Sequence, residues 1–332
     1  MTREFVLKTG TRERVPLLIG LSGPSGGGKT YTALELATGI AEIEPGPIIF
    51  IDTENRRALH YADQFSFDHI DMQAPFGSLD YLDALRFAAS HKPACIIVDS
   101  MSHEHEGPGG MIDLQEKTVM QMVDRAKQRG DKRQDWQLQD SYNMLAWREP
   151  KANRRALLNG ILQLNTNMIF CWRANEKSKP TKKGNKTEIV AQGFTPIGAP
   201  AFIWEMTVAG VLLPGAEGRP IWKSDKPGED TATKMAKQFT QLLGGGEQLS
   251  RKHGRAMAEW AKGSGDAGAR PEALDVDALI AEGNHAASVG TPALEAFWRR
   301  IGPKAQAAVQ DKKAGWKKTA DETDKANAVE ST

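Results

Sequence analysis

The chain has 332 residues, with 43 Lys and Arg against 42 Asp and Glu and a hydrophobic fraction of 40%. That length holds one large core with a small appendage, or two modest domains, and excludes a peptide scaffold. A net charge of +1 means that any basic surface is local.

Cys95 and Cys171 both lie in apolar runs, without the paired spacing of a zinc or redox site, and read as buried thiols of a reducing compartment. The opening MTREFVLKTGTRER has no apolar stretch of signal-peptide length, and nowhere do about 18 apolar residues run together. This predicts a cytoplasmic protein with no membrane partner.

Residues 1–14 are polar, with at most one strand at 5–7. The core opens with an apolar run from Val15, then Gly23-Pro24-Ser25-Gly26-Gly27-Gly28-Lys29-Thr30, then Tyr31, Leu34, Ala37 and Ile40 at helical spacing. Strand, G-x-x-x-x-G-K-[ST] loop and helix together form a nucleotide-binding signature. Glycines let backbone N–H groups turn inward on a triphosphate, Lys29 brings a compact charge to the terminal phosphates, and the Thr30 hydroxyl ligates Mg²⁺. The helix N-terminus adds its positive end. ATP and Mg²⁺ are the expected ligands.

Pro45-Gly46-Pro47 ends that helix, and the apolar run at 48–52 predicts a strand buried on both faces. Residues 67–72 predict another strand, 78–90 a helix capped by Ser78, and 94–99 a further buried strand ending in Asp99. A glycine turn at 107–110 precedes a helix over 112–128; a helix at 152–164 and a strand at 167–172 follow. Residues 174–198 lack periodicity and read as a mobile basic loop. Two strands at 201–213 and 219–223 predict an antiparallel addition at the sheet edge, followed by helices at 231–243 and up to Lys262.

The expected organisation is an ATPase domain at 1–262, a linker at 263–274, a helical module at 275–320 and a disordered tail at 321–332. Three short helices are expected in the module, at 276–288, 292–301 and 304–317, with Thr291 as an N-cap. Alternating strands and helices predict an α/β fold with a mostly parallel sheet, plus a small C-terminal all-α module.

Hydrolysis needs an acid that holds Mg²⁺ and a base that orients water. Asp99, at the end of a hydrophobic strand, fits the first role. Ser100 follows it, where many P-loop ATPases carry a glutamate, so the base comes from elsewhere. Glu54, just past the 48–52 strand, fits the second role, unless it merely pairs with Arg56 or Arg57.

The segments GPSGGGKTYTALELA, IDTENRRALHYAD and VDSMSHEHEGPGG, in this order and spacing, resemble the ATPase core of RecA-like recombinases, and more closely phage-encoded RecA-like ATPases. The resemblance covers about residues 15–245. It implies a RecA-like P-loop NTPase core in which Glu54 matches the catalytic glutamate. Some relatives act in homologous recombination or single-strand annealing, which implies single-stranded DNA as a partner and host cytoplasm as the location. No Phe-x-x-Ala polymerisation motif occurs, which leaves ring or filament assembly open.

By the same resemblance, Arg173 sits at a sensor position and either reads the γ-phosphate or begins the loop. Lys177, Lys179, Lys182, Lys183 and Lys186 follow where a DNA-binding loop is placed; a solvated lysine-rich loop is the alternative. Lys223 and Lys226 lie in the region from which basic residues reach a neighbour's ATP, or are plain surface lysines. His103-Glu104-His105-Glu106 lacks a matching third ligand cluster and reads as a segment near ATP rather than a zinc site. Trp136 and Trp147 are the tryptophans placed to meet bases.

Together these predict an ATP-hydrolysing protein acting on single-stranded DNA in phage recombination, annealing or replication. A nucleotide-gated adaptor or loader, docked to a single-strand-binding or replication protein and hydrolysing little, is the alternative. A small-molecule kinase lacks a clear arginine-rich lid here, and a packaging motor would bring a nuclease domain.

Overall fold

The computed structural model describes residues 7, 13–183, 186–263 and 276–330. It divides into two units, Glu13–Gly263 and a second made of residues 1–12 and 264–332. In the larger unit the strands are β1 (Leu18–Gly23), β2 (Ile48–Asp52), β3 (Asp68–Asp71), β4 (Cys95–Asp99), β5 (Met168–Lys183), β6 (Lys186–Pro196), β7 (Val208–Val211) and β8 (Lys234–Met235). Its helices are α1 (Lys29–Ala41), α2 (Ser78–Ser90), α3 (His103–Glu106), α4 (Met111–Gln128), α5 (Asp135–Ala146), α6 (Arg148–Gln163), α7 (Pro200–Ile203), α8 (Pro227–Asp230), α9 (Thr240–Leu243) and α10 (Arg251–Ala261).

The eight-stranded sheet runs β3-β2-β4-β5-β1-β7-β8, with β6 paired to β5. Every pairing from β3 through β7 is parallel. Only β5–β6 and β7–β8 are antiparallel. The chain is therefore α/β with a mostly parallel sheet, compatible with a Rossmann-like or P-loop-like core.

Parallel strands covered on both faces need apolar residues at every position. Accordingly β2 and β4 are buried throughout. Alternate side chains feed two cores. Ile19, Leu21, Phe50, Ile97 and Cys171 pack with α1 and α10 on one face. Leu18, Ile51, Val98, Phe170 and Trp172 pack with α2, α6 and α7 on the other. The α1–α10 contact is close enough to demand glycine on each helix. A Cβ on Gly39 would lie 2.0 Å from the Arg251 carbonyl oxygen, and one on Gly254 would lie 2.0 Å from that of Leu36. Beyond the sheet, α4 and α5 close a small core of Val119, Val123, Ala126, Leu138 and Ala146.

Several expectations are corrected. The stretch expected as a mobile loop at 174–198 is instead a long β-ribbon: β5 runs on past the sheet and pairs antiparallel with β6 from Ala174↔Pro196 to Lys183↔Lys186. Its outer half is exposed on both faces, so no apolar alternation marks it, and the backbone ladder holds it. The strand expected at 201–213 begins as α7, with Pro200 in its first turn, and only β7 is extended. β7 lies parallel to β1 rather than at the edge, and the strand expected at 219–223 reduces to one bridge, Val211↔Ile221.

The helix expected at 231–243 is broken by β8, whose pairing with β7 overrides the helical spacing of Met235, Phe239 and Leu242. Ser78 is the first residue of α2 rather than its cap; Gly77 caps the helix and the Ser78 hydroxyl donates to Glu104. The strand expected at 5–7 lies, except for Leu7, outside the described residues.

In the second unit α11 (Val276–Val289), α12 (Thr291–Arg300), α13 (Pro303–Ala308) and α14 (Lys313–Glu330) share a core of Leu294, Phe297, Ile301, Val309 and Trp316. Gly290, not Thr291, caps α12, while the Thr291 N–H donates to Asp324 at 3.2 Å. The expected third helix is split in two, and α14 continues to Glu330 where a disordered tail was expected from 321. Ala320, within it, is fully buried against the same core. The linker expected at 263–274 lies, apart from Gly263, outside the described residues.

Candidate nucleotide site

β1 delivers the glycine loop to the carboxyl end of the sheet, and Gly28 caps α1. Gly26 and Gly28 sit at φ +79° and +82°, the left-handed region, with open space where a Cβ would stand. A Cβ on Gly23 or Gly27 would lie 2.0 or 2.5 Å from the Leu212 carbonyl oxygen. The loop is thus clamped against the β7 side and open toward the cleft. Lys29, the first residue of α1, is buried and folds back over the loop, donating to the carbonyls of Gly23 at 3.0 Å and Pro24 at 2.9 Å.

Sheet register brings the remaining groups to the same end. Asp52 pairs with Asp99, Asp99 with Cys171, and Gly23 with Arg173. The Thr30 hydroxyl donates to Asp99 Oδ2 at 2.6 Å. Burial pushes the Asp99 carboxyl above its usual range, partly offset by the Thr30 hydrogen bond and the Lys29 charge.

Glu54 faces the same cleft and is bound by two guanidinium groups. Its Oε1 accepts from Arg173 Nε at 2.7 Å and lies 2.6 Å from Nη2 of the same guanidinium, and its Oε2 forms an ion pair with Arg57 at 3.1 Å. Burial alone would raise its pKa, but the Arg173 hydrogen bond and charge, joined by Arg57, bring it below the usual carboxylate range. The cleft of about 610 Å³ is lined by Ser25, Gly26, Gly28, Lys29, Thr30, Glu54, Arg57, Asp99 and Arg173, among others. Its open side, at Gly26 and Gly28, presents loop backbone to the cleft.

The structure therefore brings together the loop residues 23–30, Glu54, Asp99 and Arg173. The predicted lysines stand apart from them. Lys177, Lys179, Lys182 and Lys186 are exposed along the β5–β6 ribbon, and the Lys183 side chain lies outside the described atoms. Lys223 and Lys226 are exposed before α8, and neither lines the cleft. The Lys226 stem rests against the ribbon, where a Cβ on Gly193 would meet its Cδ at 2.9 Å.

Sequence reasoning missed the groups that hold Glu54 in place. Asp52 is buried and accepts from the Glu54 N–H at 2.7 Å and the Ala58 N–H at 2.9 Å, with His69 Nε2 at 3.3 Å. It fixes a turn in which Asn55 and Arg56 take positive φ. Thr53 accepts the Ser100 N–H at 2.8 Å, and its hydroxyl lies 2.9 Å from His103 Nδ1. A carboxylate ending a strand, as at Asp99, was the available signal for Asp52.

The His103–Glu106 segment forms a helical turn that separates its histidines. His103 meets Thr53, while His105 lies 3.3 Å from Arg154 Nη2. Glu104, fully buried, pairs with Arg154 and accepts from Ser78. Among the described residues no group of three or more His, Cys, Asp or Glu is arranged to hold a metal ion, and no helix is long and apolar enough to cross a membrane. No protein-family model and no curated protein matches this chain.

Proposed function

We propose that this chain is an ATP-binding and ATP-hydrolysing protein with a RecA-like P-loop core, acting on single-stranded DNA in recombination, annealing or replication. The observation that carries the reading is the convergence of Lys29, the Thr30–Asp99 hydrogen bond and Glu54 on one cleft at the carboxyl end of a parallel sheet. Lys29 leaves the Gly23 and Pro24 carbonyls to meet phosphate oxygens, and the loop amides hold the same oxygens. Thr30 and Asp99, already hydrogen-bonded to each other, would hold Mg²⁺, whose charge would offset that of the phosphates. Glu54 orients water and takes its proton.

The test is Glu54→Gln. Nucleotide binding stays, and turnover falls by roughly 10²- to 10⁴-fold, the range a positioned general base supplies. Undiminished turnover removes Glu54 from the mechanism.

One observation favours the alternative of a nucleotide-gated adaptor or loader that hydrolyses little. The predicted base is occupied by Arg173 and Arg57, so the arrangement is suited to waiting rather than to turnover. Comparing ATPase rates with and without single-stranded DNA separates the two: acceleration by DNA supports the first reading, and acceleration only by a protein partner supports the second.

A further inference from the structure

Next to the nucleotide cleft, on the far side of α3, lies a second and larger hollow of about 810 Å³. Its wall is α6, and its composition is one-sided. Arg148, Lys151, Arg154 and Arg155 line it together with Trp147 and Met144, and no carboxylate does. Arg154 is engaged by the buried Glu104 and lies over the Phe202 ring. The other three cations are exposed and form no ion pair among the described residues. Buried charge usually arrives paired, and exposed charge usually alternates in sign along a helix face. Here Arg148, Lys151 and Arg155 recur at helical spacing on one face, like-charged and unopposed.

The spacing has a scale. Seven residues of α-helix advance roughly 10 Å, so the three cations are strung along one edge of the hollow rather than gathered at a point. Beside the cations the Met144 side chain is 79% exposed, an apolar surface left open to solvent at the α5–α6 junction. Trp147 sits at that junction, half-buried, with α5 ending before it and α6 starting after it. Cations in a row with an aromatic ring beside them are what a flexible phosphodiester chain with splayed bases requires.

We propose that this hollow is a single-stranded nucleic-acid groove, in which Arg148, Lys151 and Arg155 bind consecutive phosphates and Trp147 and Met144 receive bases. It rests on the DNA reading above and adds a site that the lysine ribbon does not include. Continuity with the ribbon favours nucleic acid over a short acidic peptide. His105, which lines the hollow, is in close contact with Gly198, where a Cβ would lie 2.6 Å from the His105 Cβ, and Gly198 lies two residues beyond the end of β6. The hollow therefore adjoins the root of the ribbon, whose Lys177 is close enough to His105 to act on its ionisation. The hollow also connects to the nucleotide cleft, since α3 carries His105 to Arg154 and His103 to Thr53, the residue preceding Glu54.

The experiment is fluorescence anisotropy of labelled oligo(dT) with the full chain across a salt series, for the native protein and Arg148→Glu/Arg155→Glu. Removing two phosphate contacts lowers the slope of log affinity against log salt by about 1.4, at about 0.7 per contact for single strands. Affinity at fixed salt falls roughly tenfold or more, and Trp147→Ala weakens binding by roughly tenfold without changing the slope. Basal ATPase is unchanged in both variants, while its stimulation by oligo(dT) is lost. The neutral pair Arg148→Gln/Lys151→Gln, which gives the same direction with a milder charge change, covers a folding failure of the reversed pair. Native binding with variants that bind equally well overturns the groove and leaves the ATPase reading intact. No native binding to oligo(dT) overturns the groove and the DNA reading together. Binding of a polyglutamate peptide in place of oligo(dT) assigns the hollow to a protein partner and also overturns the proposal.

Discussion

Glu54 is held by Arg173 and Arg57 at once, and that grip sets its protonation. Its side chain is only 7% exposed, so burial by itself would favour the neutral acid; the hydrogen bond and charge of Arg173 reverse the sign. A base is active when deprotonated, so a depressed pKa keeps it competent to lower pH. Arg173→Ala removes the largest lowering contribution and leaves the burial, so the acid limb of the kcat–pH profile moves to higher pH. An unmoved limb would show that Arg173 does not set the ionisation of the base. At the other end of the cleft Thr30→Ala removes the hydroxyl that binds Asp99 and, in the proposed site, Mg²⁺. The Mg²⁺ concentration for half-maximal nucleotide binding is expected to rise by roughly 10- to 100-fold, the usual cost of losing a group that orients a metal ligand. Thr30→Ser, keeping the hydroxyl, restores it; equal defects in both variants would count against a hydroxyl role. The convergence of Lys29, Thr30 and Asp99 on one cleft was legible in the sequence because the G-x-x-x-x-G-K-[ST] spacing ties the loop to the strand before it and the helix after it, and because a carboxylate ending an apolar run stands out. Asp52 and Thr53 were not, because what they do is hydrogen-bond a turn and a neighbouring strand that exist only after folding.

The elements that carry the site were read most reliably where burial leaves a strong mark. β2 and β4 are apolar runs up to their terminal aspartates, and parallel strands between two helical layers produce that pattern. The β5–β6 ribbon has no such mark. Its residues face solvent, its stability lies in backbone pairing, and Lys, Thr and Ser in alternation look the same in a loop. β8 was hidden for the opposite reason: a two-residue pairing with β7 prevailed over helical spacing. The α1–α10 contact offers a test of packing at this scale. Because Gly254 meets the Leu36 carbonyl, a fixed backbone atom, Gly254→Ala forces the helices apart. The cost is about 1–3 kcal/mol, the usual range for overpacking, read as a lower urea midpoint at unchanged slope. Since α1 begins at Lys29, nucleotide affinity should fall with it. Gly245→Ala, at an ordinary φ with nothing closer than the Glu247 Cγ at 4.0 Å, should cost less. Equal losses in the two variants would mean that close helix approach is not what the glycine serves.

At the scale of the whole chain, the larger unit closes on itself. The Val15 N–H donates to the Ala261 carbonyl at 3.0 Å, so the segment entering β1 is tied to the last turn of α10. Met257, Ala258 and Ala261 of that helix are buried in the same core as Leu34, Leu36 and Ile40 of α1. The helix that follows the glycine loop is therefore covered by the last helix of the unit, some two hundred residues later in the sequence. The four C-terminal helices have a separate core of their own. Two truncations separate these contributions. A chain ending at Gly263 keeps α10 and the Val15 contact, and is expected to unfold cooperatively and to gain Tm on adding Mg²⁺-ATP. At a nucleotide concentration of about 100 Kd that gain corresponds to about 2.7 kcal/mol. A chain ending at Leu249 lacks α10 and exposes one face of α1, and is expected to lose both the cooperative transition and the nucleotide response. If both truncations behave alike, α10 is not what completes the larger unit. If the chain ending at Gly263 fails to fold, the C-terminal helices contribute to a core that their own apolar cluster does not reveal.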